Sequence, residues 1–257
     1  MCAPRIGGTA LSGGHGRGRP ATRAFGRAAV YRLLAEGCSY PTLEGIALLR
    51  GPYLAAARAA APVLDPVALA GLAALDHALT TLDQASAERA HVAAFGHAGL
   101  PAAVPYEAPY LSTNVFQETA TLADVTGFYG AFGVEPSAAR RERADHVSLE
   151  LEFMHLLAFK EGYARRHHGA EAVAICVEAQ RAFLAAHLGR WGPLFFRRLR
   201  ETAPGTHYEA LAAVGEPFLA TEAASAGARP VGATRLSPKP AAEDEADACP
   251  LAPGVIA

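Results

Sequence analysis

Between about residue 21 and residue 222 the apolar side chains recur at helical steps, and no stretch makes a convincing strand. Ala, Leu, Glu and Arg, which lose little on entering a helix, dominate this region. An all-α chain follows, because helices with one apolar face must bury it against one another. With 257 residues, 51% of them hydrophobic and 19% charged, the chain is long enough for one substantial core. No fixed-period repeat is visible, so a single helical bundle is favoured over a solenoid.

Start and stop signals divide the pattern. Helices are expected to begin near Ala21, Thr42, Pro66, Asn114, Pro136, Gly169, Gly192 and Thr206, with an irregular, proline-bearing loop from Gly96 to Thr113. Asn114 followed by Gln117 has capping-box character, Val115, Leu122, Val125, Tyr129 and Phe132 follow helical steps, and Gly133 suits a C-terminal cap. The next helix is expected to run from Pro136 to His167 and His168, ending before Gly169. Val147, Leu149, Leu151 and Phe153 alternate like a strand. Val147, Leu151, Met154 and Ala158 also form a 4-3-4 stripe without turn signals at the flanks, and helix is preferred. Val173, Val177, Leu184, Leu188 and Trp191 form a further stripe that Gln180 interrupts.

Residues 1–20 are rich in Gly and Arg, and residues 223–257 combine Pro, Gly, Ser and Ala with Glu243, Asp244, Glu245 and Asp247. Neither end carries enough apolar surface to offset the entropy of ordering, so both are expected to be disordered tails around an all-helical domain at 21–222. A formal net charge of −2 and a pI near 6.6 give no basic footprint for nucleic acid. Cys2, Cys38, Cys176 and Cys249 lack the spacing of a zinc site or disulfide framework. No secretory signal or membrane-length apolar run is present, so a cytoplasmic protein without stable membrane insertion is expected.

Local enzyme signatures are scarce, since there is no G-x-S-x-G elbow, P-loop, dinucleotide fingerprint or H-E-x-x-H. Two Glu-x-x-His pairs, Glu88 with His91 and Glu152 with His155, have the spacing used in di-iron bundles, with Glu118 and Glu178 as further candidate ligands. A helical di-iron or other metal enzyme is thus an alternative reading. In a helix through Asp145 and Met154, His146 and Glu150 would lie four apart on one face, as a salt-bridged surface or as a binding site. Tyr106, Glu107 and Tyr110 sit in the proline-bearing loop, where they could form an amphipathic rim or anchor the loop to the core. His187, Leu188, Trp191, Pro193, Phe195 and Phe196 form an aromatic cluster across an expected helix break at Gly192-Pro193.

Asp145-His146 followed by Glu150, Phe153 and Met154 resembles the D-H-x-x-x-E-x-x-F-M signature of the TorD/DmsD/NarJ redox-enzyme maturation chaperones. The Ala123–Gly133 stretch is similar to that family's helix ending in a Tyr, aromatic and Gly cluster, and the run from Phe183 through Trp191 to Phe196 adds support. The resemblance spans about residues 25 to 220. Ala144 stands where the family commonly has Pro, and the upstream Tyr-x-Pro element is not recognisable. The Tyr106–Gly133 stretch is similar in style to accessory proteins of dimethylsulfide, ethylbenzene, chlorate or selenate oxidoreductases.

This resemblance implies a single-domain helical bundle of the TorD-like type that catalyses no reaction and holds no cofactor or metal. Its implied partner is the catalytic subunit of a molybdenum-containing oxidoreductase. The protein would bind that subunit's twin-arginine leader peptide, its apo form or both, as a monomer or homodimer, and assist cofactor insertion, assembly and export proofreading. The expected client-binding residues are Asp145, His146, Glu150, Phe153, Met154, Tyr106, Glu107, Tyr110, Asp124 and Trp191. Carboxylates suit paired guanidinium groups through charge-assisted hydrogen bonds, and the aromatic residues suit the apolar part of a leader.

Overall fold

A computed structural model describes residues 15–96, 103–112, 114–135 and 142–232. Within them the helices are α1 (His15–Gly37), α2 (Leu43–Leu48), α3 (Leu54–Ala59), α4 (Pro66–Thr80), α5 (Gln84–Phe95), α6 (Ala108–Leu111), α7 (Val115–Ala131), α8 (Val147–His167), α9 (Ala170–Ala186), α10 (Leu188–Thr202) and α11 (His207–Ala226). There is no strand among the described residues, as expected; the extended pairing is limited to one isolated bridge. A π-helical turn at Leu49–Tyr53 joins α2 to α3 where Pro52 lacks the amide that a regular ladder needs.

Most of the longer helices start where a side chain takes up an amide that the helix leaves unsatisfied. Asp65 accepts from Val67 and Ala68, Asp83 from Ser86, Asn114 from Gln117 and Thr206 from Tyr208. Gly133, at φ +69°, occupies the left-handed position that ends α7, which favours the residue without a Cβ.

The bundle is organised around α8, which packs most extensively on α1 and also meets α9 and α10, while α11 lies against α10 and α4. Val147, Leu149, Leu151, Phe153, Met154, Leu157 and Ala158 are all buried, so α8 is covered on much of its circumference. Between α4 and α11 the backbones come close at Gly71, where a Cβ would stand 2.6 Å from the backbone carbon of Ala213.

Several expected boundaries move. α1 begins at His15, inside the expected N-terminal tail, and α11 runs to Ala226, past the expected domain edge at 222. Residues 1–14 and 233–257 of the expected tails lie outside the described residues. α5 was not expected; its buried side chains are Ala87, Ala94 and Phe95, two of them too small to mark a stripe. The helix expected from Pro136 starts instead at Val147, because Asp145 and His146 are occupied in the bridge described below; Pro136 itself lies outside the described residues. The break expected at Gly192-Pro193 falls earlier, at His187 (φ −122°, ψ −107°), and α10 carries Pro193 internally. On α9 the buried face is Cys176, Gln180, Phe183 and Leu184, while Val177 is exposed; Gln180 is buried because its amide donates to Glu161 and to the Cys176 carbonyl.

Candidate functional site

The segment from Ala103 to Ser112 is fastened across the start of α8. Tyr106 and His146 form an antiparallel bridge, with the Glu107 amide donating to the Asp145 carbonyl (3.0 Å) and the Val147 amide to the Pro105 carbonyl (2.8 Å). The Asp145 carboxylate, fully buried, accepts from the Ala108 amide at 3.1 Å and receives a two-pronged contact from Arg143 at 3.0 and 2.8 Å. Arg143 lies over the Tyr106 ring, and the Tyr106 hydroxyl donates to Glu142. Tyr129 of α7 ties in from the other side through its hydroxyl, which donates to the Ala144 carbonyl.

This arrangement corrects the expectation that Asp145, His146 and Glu150 share one helix. Asp145 precedes α8 and His146 is its N-cap, whose Nδ1 accepts from the Ser148 amide. His146 therefore does not pair with Glu150; its Nε2 lies 4.0 Å from Glu142. Burial, with the charge of nearby His91, pushes the His146 imidazole down to about 4, so the ring is neutral at pH 7.

Glu107 and Glu150 point inward toward each other. Glu150 is fully buried and accepts from the Trp191 indole at 3.1 Å, while Glu107 faces His187 Nδ1 at 3.0 Å. The two carboxyls also act on one another, and Glu150 Oε1, buried, has no hydrogen-bond donor among the described residues. Burial raises both carboxyls, and Glu150, which also feels the charge of Glu107, lies well above the usual range, so the pair favours holding a proton. His187 Nε2 lies 3.3 Å from the carboxylate of Asp124 on α7, which is solvent-exposed. A line of polar groups thus runs from Asp124 at the surface through His187 and Glu107 to Glu150 and Trp191 in the core.

Aromatic side chains enclose this line. His187 packs against Phe128 and Phe183, Trp191 against Tyr110 and Phe195, and Phe153 sits among Tyr129, Phe132 and Phe183. Met154 lies in the same hydrophobic core. The expected residues are thus largely brought together, but Asp145, Glu150, Glu107, Tyr110, Phe153, Met154 and Trp191 are buried rather than lining an open groove. Asp124 is the expected carboxylate that faces solvent. Arg143, Glu142 and the bridging role of His187 were not foreseen; Arg143 lies only two positions from Asp145, but Tyr106 and Glu142 are 36 positions apart and Glu107 and His187 are 80.

The two Glu-x-x-His pairs have other engagements. His91 Nδ1 meets the Tyr208 hydroxyl, His155 Nδ1 the Ala28 carbonyl, Glu152 is paired with Arg32, and Glu178 with Arg181. Among the described residues no group of three or more His, Cys, Asp or Glu side chains is placed to hold a metal ion.

A family model described as nitrate reductase delta subunit matches residues 62–197, more than half of the chain and all of the cluster above. The chain belongs to the nitrate reductase delta subunit family. The resemblance to the TorD/DmsD/NarJ chaperones agrees with this membership. This family member is 31% identical over 118 residues to a perchlorate reductase assembly chaperone protein of Dechloromonas aromatica (strain RCB), covering 45% of this chain and 52% of that one. It is 38% identical to a chlorate reductase assembly chaperone protein of Ideonella dechloratans and 40% identical to a selenate reductase assembly chaperone protein of Thauera selenatis. Each of those two matches spans 81 residues, 32% of this chain and 41% of the relative. The chain therefore spans about half or less of the length of these curated relatives.

Proposed function

We propose that this family member is a cytoplasmic assembly chaperone for the catalytic subunit of a molybdenum-containing oxidoreductase. In this reading it binds the subunit's twin-arginine leader, its apo form or both, and assists cofactor insertion before export. It catalyses no reaction itself. The names of the perchlorate, chlorate and selenate reductase relatives support the client class.

The observation that carries the reading is the outward face of α7. This helix carries Glu118 and Asp124 and no basic residue, buries only Val125 and Tyr129, and leaves Val115 and Phe116 exposed, Phe116 at 88%. An acidic face with an apolar end suits a peptide that presents arginines next to an apolar segment. The buried cluster of Glu107, Asp145, Glu150, His187 and Trp191 then acts as scaffold, fixing the 103–112 segment and α7 relative to α8. Asp124, which touches both solvent and His187, is the expected client-binding residue with the most direct access.

Calorimetric titration with a synthetic peptide bearing an Arg-Arg pair followed by an apolar stretch tests this reading. Binding is expected to the native chain and to weaken about tenfold, or about 1.4 kcal/mol, in D124N and in F116S, both at exposed positions. Unaltered affinity in both variants would remove α7 as the client face.

A further inference from the structure

A cleft of about 570 Å³ opens between α1, α8, α9 and α11, away from the cluster described above. Its floor is an ion-pair network. Arg27 binds Glu222 through Nε (2.8 Å) and Glu161 through a terminal nitrogen (3.2 Å), and the Tyr31 hydroxyl also donates to Glu222. Glu161 further accepts from Arg165 and Gln180. Both carboxylates are therefore engaged several times over and contribute little negative field to the opening. Arg19 and Arg23 line the cleft as exposed residues, and Arg165 and Arg181 flank it from α8 and α9. Arg27 and Arg165 are engaged with the two floor carboxylates and Arg181 with Glu178, so the positive charge that faces the opening comes from Arg19 and Arg23, which suit a ligand with more than one anionic group.

We propose that the occupant is the acidic run Glu243, Asp244, Glu245 and Asp247 of the same chain. Ser225 and Ala226, in the last turn of α11, form part of the cleft wall. From there the chain is held beside α10 by a hydrogen bond from the Val231 amide to the Arg190 carbonyl, and the described chain ends at Gly232. Ten residues then lead to Glu243, a reach of up to about 33 Å. No Asp or Glu precedes Glu243 in that stretch, so the first carboxylates after the described chain form the dense acidic run. Tethering gives them a millimolar-range effective concentration at the cleft, which a free anion must exceed to compete. The match is of charge and of reach.

The test uses the full 257-residue chain. R23K introduces an amine at an exposed rim position, and a carbodiimide then couples it to any carboxylate in contact, with mapping by mass spectrometry. The expected result is an intramolecular link from position 23 to Glu243, Asp244, Glu245 or Asp247 in the monomer, lost in high salt. In parallel, phenylglyoxal should modify Arg19 and Arg23 several-fold faster in E243Q/D244N/E245Q/D247N than in the native chain. Links only to Glu161 or Glu222, links only between two copies, or equal modification rates would each overturn the proposal.

Discussion

Glu150 has no route to water, so its neighbours decide its charge. Its carboxyl accepts from Trp191 and, when protonated, relieves the repulsion from Glu107, which E150Q would imitate because an amide is neutral and can accept from the indole. The folded carboxyl holds its proton above the unfolded value near 4.5, so its contribution to stability is complete below that pH and is lost as pH rises toward the folded value. E150Q should therefore gain stability relative to the native chain as pH rises above about 4.5, measured by urea midpoints from pH 4 to 8. E150A, which strands the Trp191 N–H and Glu107, should cost about 3 kcal/mol near neutral pH. His146 has the opposite sign. With its value lowered to about 4, the folded chain binds less proton than the unfolded chain between about pH 4 and 6.5, and stability is lost as pH falls through that window. H146N keeps an N-cap acceptor but removes the titration, so it should gain on the native chain as pH falls from 6.5 to 4. A gain from E150Q at low pH, or from H146N at high pH, would reverse the assigned charge states.

At the level of elements, legibility followed the strength of local signals. The α7 start and end were readable because Asn114 and Gly133 act within one turn of their own positions. The start of α8 was not, since Asp145 and His146 are drawn into a bridge with Tyr106, a partner about forty positions away that no periodicity encodes. The corner before α10 was also hidden. It sits at His187, whose ring is held between Glu107 and Asp124, whereas the local proline signal pointed to Gly192-Pro193. α5 went unseen because two of its three buried side chains are alanines. Alanines and glycines set close approaches that a hydrophobic pattern does not display, and Gly71 is the clearest case. G71A should lower stability by about 1–3 kcal/mol through displacement of α4 from the Ala213 backbone, seen as a lower urea midpoint. An unchanged midpoint would mean that α4 and α11 can part without loss.

For the whole molecule, the all-α class was legible from periodicity and the family from the Asp145–Met154 segment, but the exposure of the site residues was not. Sequence spacing suggested a wall of carboxylates open to a client, whereas folding turns Glu107, Asp145 and Glu150 inward and leaves Asp124 at the surface. The reason is long-range: α8 is covered by α1, α9 and α10, and the 103–112 segment closes over its start. The central claim is that the client is a molybdenum-enzyme catalytic subunit. Affinity purification of the tagged chain from its native host, with the captured proteins identified by mass spectrometry, tests it most directly. The account predicts capture of such a subunit with its twin-arginine leader still attached, reduced in D124N; recovery of no molybdenum-enzyme subunit above an untagged control would contradict it.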